Sequence, residues 1–223
     1  LVVRKPGSSN PDGILTVYSM HPTVLHEDSA LVSADFPGYA RKHLQERFPG
    51  VTVLYHTGPA GNQSPRYHVK GQTVAEAERL GRTLGSFLSN AVAALPDEAF
   101  DVDPDLQTAQ GTVELSPKTF PSVEDAAAQL DEARARYDQL KREGAPHGPV
   151  RTAECAVFGA EECLVMAVAQ SRGDVQKLQD DYNPATIQVL KIGDTFLVGL
   201  PGELFVEYGL TLKEQAPGKA FVI

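Results

Sequence analysis

Three short stretches carry residues that could do chemistry: His21 in His21-Pro22-Thr23, the run Gly61-Asn62-Gln63-Ser64-Pro65, and Glu203 in Leu200-Pro201-Gly202-Glu203-Leu204. An imidazole and a carboxylate delivered from separate points of a chain are what a catalytic zinc needs. Such sites take about three protein ligands and keep a fourth position open for water. A serine in a loop shaped by Gly and Pro can serve as a nucleophile or as a polar contact to substrate. Each residue also has a plain structural use: a His before Pro at a strand end, an acid favoured by a helix macrodipole, a turn serine before proline. His26, His43, His56, His68 and His147 have neither His-x-His nor His-x3-His spacing and read as surface or loop residues. Cys155 and Cys163 form no Cys-x2-Cys motif. On one helix they would stand roughly 12 Å apart, too far for a disulfide, so they read as buried free thiols.

The elements around these residues must bring them together. The apolar, β-branched run 14–20 follows the turn Asn10-Pro11-Asp12-Gly13 and predicts a buried strand with His21 at its carboxyl end. Asp35 is expected to cap a helix over 37–47, which Phe48-Pro49-Gly50 closes before a strand over 51–56, giving a β-α-β unit. The loop 57–66 then leaves a strand's carboxyl end, where open α/β sheets bind ligands. Thr73 caps a helix reaching residue 94, with Leu80, Leu84, Phe87 and Leu88 on the side that meets the sheet. Beyond an acidic linker over 96–104, residues 107–115 predict a polar edge strand. Segments 122–143, opened by Ser122, and 151–171 predict an αα-hairpin. Segments 187–192 and 195–200 form a hairpin about a Gly193-Asp194 primed turn. A short helix is expected over 203–213, and a further strand from 221. The fold class is therefore α/β, a mixed β-sheet layered with helices. It is read as one domain over 1–223 with a helical hairpin over 121–173 inside it.

A chain of 223 residues with 42% hydrophobic residues can bury one proper core. Its formal net charge of -9, with no run of Lys or Arg, argues against nucleic acid or an anionic membrane as partner, because both require clustered cations. No stretch reaches the roughly 18–20 apolar residues of a membrane span, and the N-terminus lacks the order of a signal peptide, so a soluble chain of unassigned compartment is expected. The chain starts at Leu1 without Met and stops within a strand pattern, so segments on both sides are expected.

The block His21-Pro22-Thr23 with Leu31-Val32-Ser33-Ala34-Asp35 and Gly38-Tyr39-Ala40, then Gly61 to Pro65, then Leu200 to Leu204, resembles in order and spacing the neutral/alkaline ceramidase family. The resemblance implies a zinc-dependent hydrolase that cleaves a lipid amide, with ceramide as the type substrate and a small-molecule lipid amide as partner. It implies His21 and Glu203 as Zn2+ ligands and Ser64 as the serine of the Gly-Asp-x-Ser-Pro signature, with Gly61 and Asn62 beside the substrate. Metal-activated water is the expected nucleophile, and Ser64 would place substrate or stabilise the oxyanion. Asn62 stands where the signature has Asp, and Arg66 where Asn is usual. A family His ligand would fall before Leu1 and a Tyr ligand after Ile223, so this chain is expected to hold an incomplete ligand set without firmly bound zinc. The alternative is a catalytically inactive α/β scaffold or binding domain. A serine hydrolase built on Ser64 fits less well, because Gly61 to Pro65 is not a Gly-x-Ser-x-Gly elbow and Pro65 has no N–H to donate.

Overall fold

The computed structural model describes residues 1–25 and 29–223; His26 lies outside the described residues. The chain divides into two compact units, Leu1–Gly111 with Ile187–Ile223, and Thr112–Thr186. Among the described residues no helix is long and apolar enough to cross a membrane.

The first unit begins with a three-stranded sheet made of β1 (Val2–Val3), β2 (Gly13–Tyr18) and β3 (Thr52–Thr57) in the order β1-β2-β3. The β1 pairing is antiparallel and the β2–β3 pairing parallel, as the crossover helix α1 (Asp35–Arg47) requires. Alternation along the strands sends Ile14 and Val53 to one face, where they meet Leu44 and Phe48 of the α1 region in a buried cluster. Phe36 packs edge to face against Tyr18 and Tyr55, with ring centroids 6.3 and 6.2 Å away. Burial pushes the Tyr55 phenol above its ordinary range, helped by the nearby Tyr18 and Asp35. Arg41 Nε donates to the Val53 carbonyl at 3.1 Å and covers the free edge of β3.

Helix α2 (Val74–Ala93) is capped by Thr73, whose hydroxyl accepts from the Glu76 amide at 3.2 Å, as expected. Leu88 joins the Ile14 cluster, and Leu80 and Leu84 join that of Phe36. Phe87 does not: it is 72% exposed. The face α2 turns to α1 is instead a line of small residues, Ala77, Gly81, Gly85 and Ser89, all buried. A Cβ on Gly85 would sit 2.7 Å from His43 Cβ, so the two helices approach more closely than any larger residue allows.

The second sheet, whose strands lie mainly in this unit, runs β4 (Leu106–Val113), β5 (Ala185–Ile192), β6 (Thr195–Gly199), β7 (Lys219–Val222), with α6 (Val206–Gln215) between the last two strands. β4 lies at the edge, as its polarity predicts. Gly193 takes φ +59 at the tip of the β5–β6 hairpin, the positive φ that a primed turn needs. β5–β6 is antiparallel and β6–β7 parallel. The α/β class holds, with the strands divided between two mixed sheets rather than gathered in one.

The second unit contains α3 (Val123–Arg142), α4 (His147–Ser171) and α5 (Asp174–Tyr182). Ser122 caps α3 through the Asp125 amide. Gly144 at φ +63 closes it, with the Ala145 and Gly144 amides returning to the Leu140 and Lys141 carbonyls. Helices α3 and α4 are tied by Arg134–Glu161 at 2.9 Å and by the Tyr137 hydroxyl donating to Glu154 at 3.1 Å. Cys155 and Cys163 are free on α4, and half-buried rather than buried. Helix α5 was not foreseen from the sequence, since of its nine residues only Val175 is buried and it leaves no periodic stripe.

Glu76 fixes the start of α2 from its own side chain, accepting from the Lys70 amide at 2.9 Å and from Arg79 Nε at 2.9 Å. The Arg79 hydrogen bond is the main cause that lowers its carboxyl from 4.5 to about 2. A carboxyl that titrates lower in the folded state contributes stability fully above about pH 4.5 and loses it as pH falls toward 2. Thermal melts across this range should therefore find Glu76→Gln less stable than the parent at pH 7 and level with it near pH 2; a gap independent of pH would contradict this origin.

Candidate active site

Parallel pairing brings β2 and β3 to a common carboxyl end, with Tyr18 opposite Thr57, and does the same for β6 and β7, with Val198 opposite Val222. The segments leaving these ends enclose a cleft of about 510 Å3, whose lining includes His21, His56, Gly58, Gly61, Glu203 and Val222.

Two glycines shape it. A Cβ on Gly58 would stand 2.6 Å from Ser19 Oγ and 3.4 Å from the Val222 carbonyl. At Gly61 it would stand 2.6 Å from the Glu203 carbonyl and 2.9 Å from the Phe205 ring. The bare Gly61 backbone can therefore lie on the 203–205 segment, and its amide donates to the Leu204 carbonyl at 2.9 Å. Pro59 seats against Gly209 of α6 in the same way, 2.6 Å from where a Cβ would be. Together these contacts bring the turn after β6 beside the loop after β3.

His21 is held from both sides. Its amide donates to the Gln63 carbonyl at 3.0 Å, and its carbonyl accepts from Thr23 at 2.9 Å. The segment that follows is tied down by Asp35, which is 4% exposed. One Asp35 oxygen accepts from the amides of Val24 at 3.0 Å and Leu25 at 2.8 Å, the other from Phe36 at 2.6 Å. Asp35 is thus more than the expected cap: α1 begins at Asp35 itself, at φ +51, and its carboxylate joins the helix start to the His21 segment. Three N–H donors compensate a buried charge that would otherwise be costly.

His21 Nε2 and Glu203 Oε2 lie 3.8 Å apart, with the two side chains 29% and 79% exposed. Glu203 is not in the helix expected to start there; it sits in the turn before α6, which begins at Val206. An acid at this place is free of a helix role, and the first-turn acid of α6 is Glu207. A tetrahedral zinc with bonds of about 2.0–2.2 Å holds nitrogen and oxygen ligands roughly 3.4 Å apart, so a small movement would let this pair share one ion. Two donors fit, but among the described residues no group of three His, Cys, Asp or Glu clusters as a complete site would.

Gly61 lines the cleft, whereas Ser64 and Asn62 stand outside its lining. The Ser64 hydroxyl, half-buried, accepts from Arg66 Nε at 3.4 Å. Asn62 faces α6: its Oδ1 accepts from the Val206 amide at 3.0 Å, and its Nδ2 donates to the Glu207 carboxylate at 2.8 Å. An aspartate there could accept from Val206 but would oppose Glu207 with like charge. The Asn62 amide therefore suits this chain's own Glu207. His56, read from the sequence as a surface residue, is exposed but lines the cleft. The signal for it was the alternation of β3, which carries His56 to the strand's end on the face opposite Val53 and Tyr55.

No protein-family model matches the chain, and no curated protein matches it. Among solved structures it is similar to a ceramidase complexed with C2, with a TM-score of 0.51 at 17% identity over 96% of this chain and 38% of that one. The fold is ceramidase-like. A neutral ceramidase from Pseudomonas aeruginosa aligns with a TM-score of 0.49 at 18% identity, over 96% of this chain and 36% of that chain. The chain thus spans between 36% and 38% of the length of these structures. The resemblance read from the three sequence blocks holds at the level of fold.

The approach at Gly61 predicts that Gly61→Ala costs about 1–3 kcal/mol by overpacking. Gly159→Ala, in α4 with open space around the new Cβ, should be neutral or stabilising. Urea denaturation of the two variants measures this, and equal effects would contradict the close contact.

Proposed function

We propose that the chain carries part of the active site of a zinc-dependent hydrolase that cleaves a lipid amide, in the manner of a ceramidase. The observation that carries the reading is the His21–Glu203 approach of 3.8 Å inside a cleft otherwise bordered largely by apolar side chains such as Pro22, Leu200, Leu204 and Val222. A polar pair within an apolar cleft suits a substrate with a polar amide and a greasy acyl group.

His21 and Glu203 would hold the zinc, with ligands from outside this chain's cluster completing the set. When bound, zinc supplies an acidified water and polarises the amide carbonyl. The protein's own part is positional. Gln63 and Asp35 fix the His21 segment, and Gly61 with Asn62 fixes the turn that presents Glu203. The bare backbone at Gly58 and Gly61 lets the loop after β3 close against Ser19, Val222 and the 203–205 segment. Ser64 acts here as a member of the loop that holds His21. The nucleophilic role fits it poorly, since its hydroxyl accepts from a guanidinium.

A second reading, an inactive scaffold or binding domain, is favoured by one observation: fewer than three donors cluster among the described residues. Zinc binding separates the two. Titration with zinc under competition from a colorimetric chelator should reveal one site whose affinity falls at least about tenfold in His21→Ala and in Glu203→Ala. Unchanged binding in both variants would sink the zinc reading.

A further inference from the structure

Helix α6 has no cap of its own. Phe205 stands at its N-cap, where a side-chain acceptor such as Ser, Thr, Asp or Asn is usual, and no local side chain caps the first amides. The acceptor comes instead from the loop after β3: Asn62 Oδ1 takes the Val206 amide at 3.0 Å. Glu203 lies in the turn that runs into Val206, so whatever fixes the start of α6 also fixes the turn that carries Glu203.

Three consecutive residues reach both halves of the site. The Gly61 amide donates to the Leu204 carbonyl at 2.9 Å, the Asn62 side chain meets α6, and the Gln63 carbonyl accepts from the His21 amide at 3.0 Å. Residues 61–63 thus join the His21 segment to the Glu203 turn. The orientation of the Asn62 amide is settled by its neighbours. Its Oδ1 receives two donors, the Val206 amide and Gln63 Nε2, the latter at 3.3 Å. Its Nδ2 therefore points at the Glu207 carboxylate, 3.1 and 2.8 Å from the two oxygens, which as a carboxylate only accept. A flipped amide would set donor against donor and oxygen against carboxylate. Glu207 is thus more than an acid favoured by the helix macrodipole, because it holds Asn62 the right way round to start α6.

We propose that Asn62 and Glu207 are a positioning pair that holds the Glu203 turn beside His21. The functional sense of the pair rests on the zinc reading, which gives Glu203 its role, but its action on the turn needs no metal. These bonds are exposed and each alone is weak; they count because they act on the same loop as the Gly61 contact. A carboxylate at position 62 would still accept from Val206, yet it would lose the donor to Glu207 and set two negative groups in contact. Removing the charge at position 207 as well restores a donor–acceptor pair in the reverse sense at the same total charge.

Four chains test this: the parent, Asn62→Asp, Glu207→Gln and the double variant. The readouts are amide hydrogen exchange and the proton–proton contacts of the His21 ring with the Glu203 side chain, both recorded without metal. Asn62→Asp is expected to speed exchange at Gly61 and Val206 about tenfold and to weaken the His21–Glu203 contacts, with the β3 amides unchanged. Glu207→Gln should change these rates less than about threefold, since its amide oxygen still accepts from Asn62. The double variant should return within about twofold of the parent. No acceleration in Asn62→Asp, or a double variant as fast as Asn62→Asp, would overturn the pair. So would a loss in Glu207→Gln as large as that in Asn62→Asp, which would assign Glu207 to the helix macrodipole instead. Each of these outcomes leaves the zinc reading standing, since that reading falls on its own titration with His21→Ala and Glu203→Ala.

Discussion

At Gly61 one backbone rests on another with no side chain between them, and the site depends on that contact. The loop after β3 and the turn after β6 are remote in sequence, yet the Gly61 amide bonds Leu204 and its Cα faces the Glu203 carbonyl. A single such hydrogen bond contributes only about 1 kcal/mol net. The approach is therefore secured by several small terms acting together: Pro59 against Gly209, Asn62 on the start of α6, and the absence of any Cβ at Gly58 and Gly61. Together they hold Glu203, on an exposed turn, beside His21.

The pair itself adds little to stability. A carboxylate 79% exposed interacts weakly with its partner through water. Its importance lies in what the weak pairing leaves available, an imidazole nitrogen and a carboxylate oxygen both open to the same cleft. Stability resides elsewhere, in the Ile14 and Phe36 clusters and in the small-residue seam between α1 and α2. Asp35 links the two regions. Its buried carboxylate starts α1 and holds the amides of Val24 and Leu25, so the helix that builds the core also positions the histidine segment.

Local signals in the sequence carried much of this. Strand alternation and turn residues located the β-α-β unit and the β5–β6 hairpin, and the caps Thr73 and Ser122 located α2 and α3. What escaped depends on partners distant in the chain. Phe87 has helical spacing with Leu84 and Leu88, yet α1 approaches along Ala77, Gly81, Gly85 and Ser89 and leaves Phe87 outside. The sequence pattern starts α6 at residue 203, whereas Asn62, far upstream, supplies the acceptor that lets the helix begin at Val206. His21 and Glu203 could be singled out as strand-end residues, but their approach needs both sheets in place. His56 has no partner spacing at all and gains meaning only from the cleft it borders.

The site rests on a Gly61 amide locked onto the 203–205 turn, and residue-resolved hydrogen exchange of that amide tests this most directly. A locked contact predicts that Gly61 N–H exchanges as slowly as the strand amides of β3. Exchange at the rate of an open loop, with β3 still protected, would contradict it.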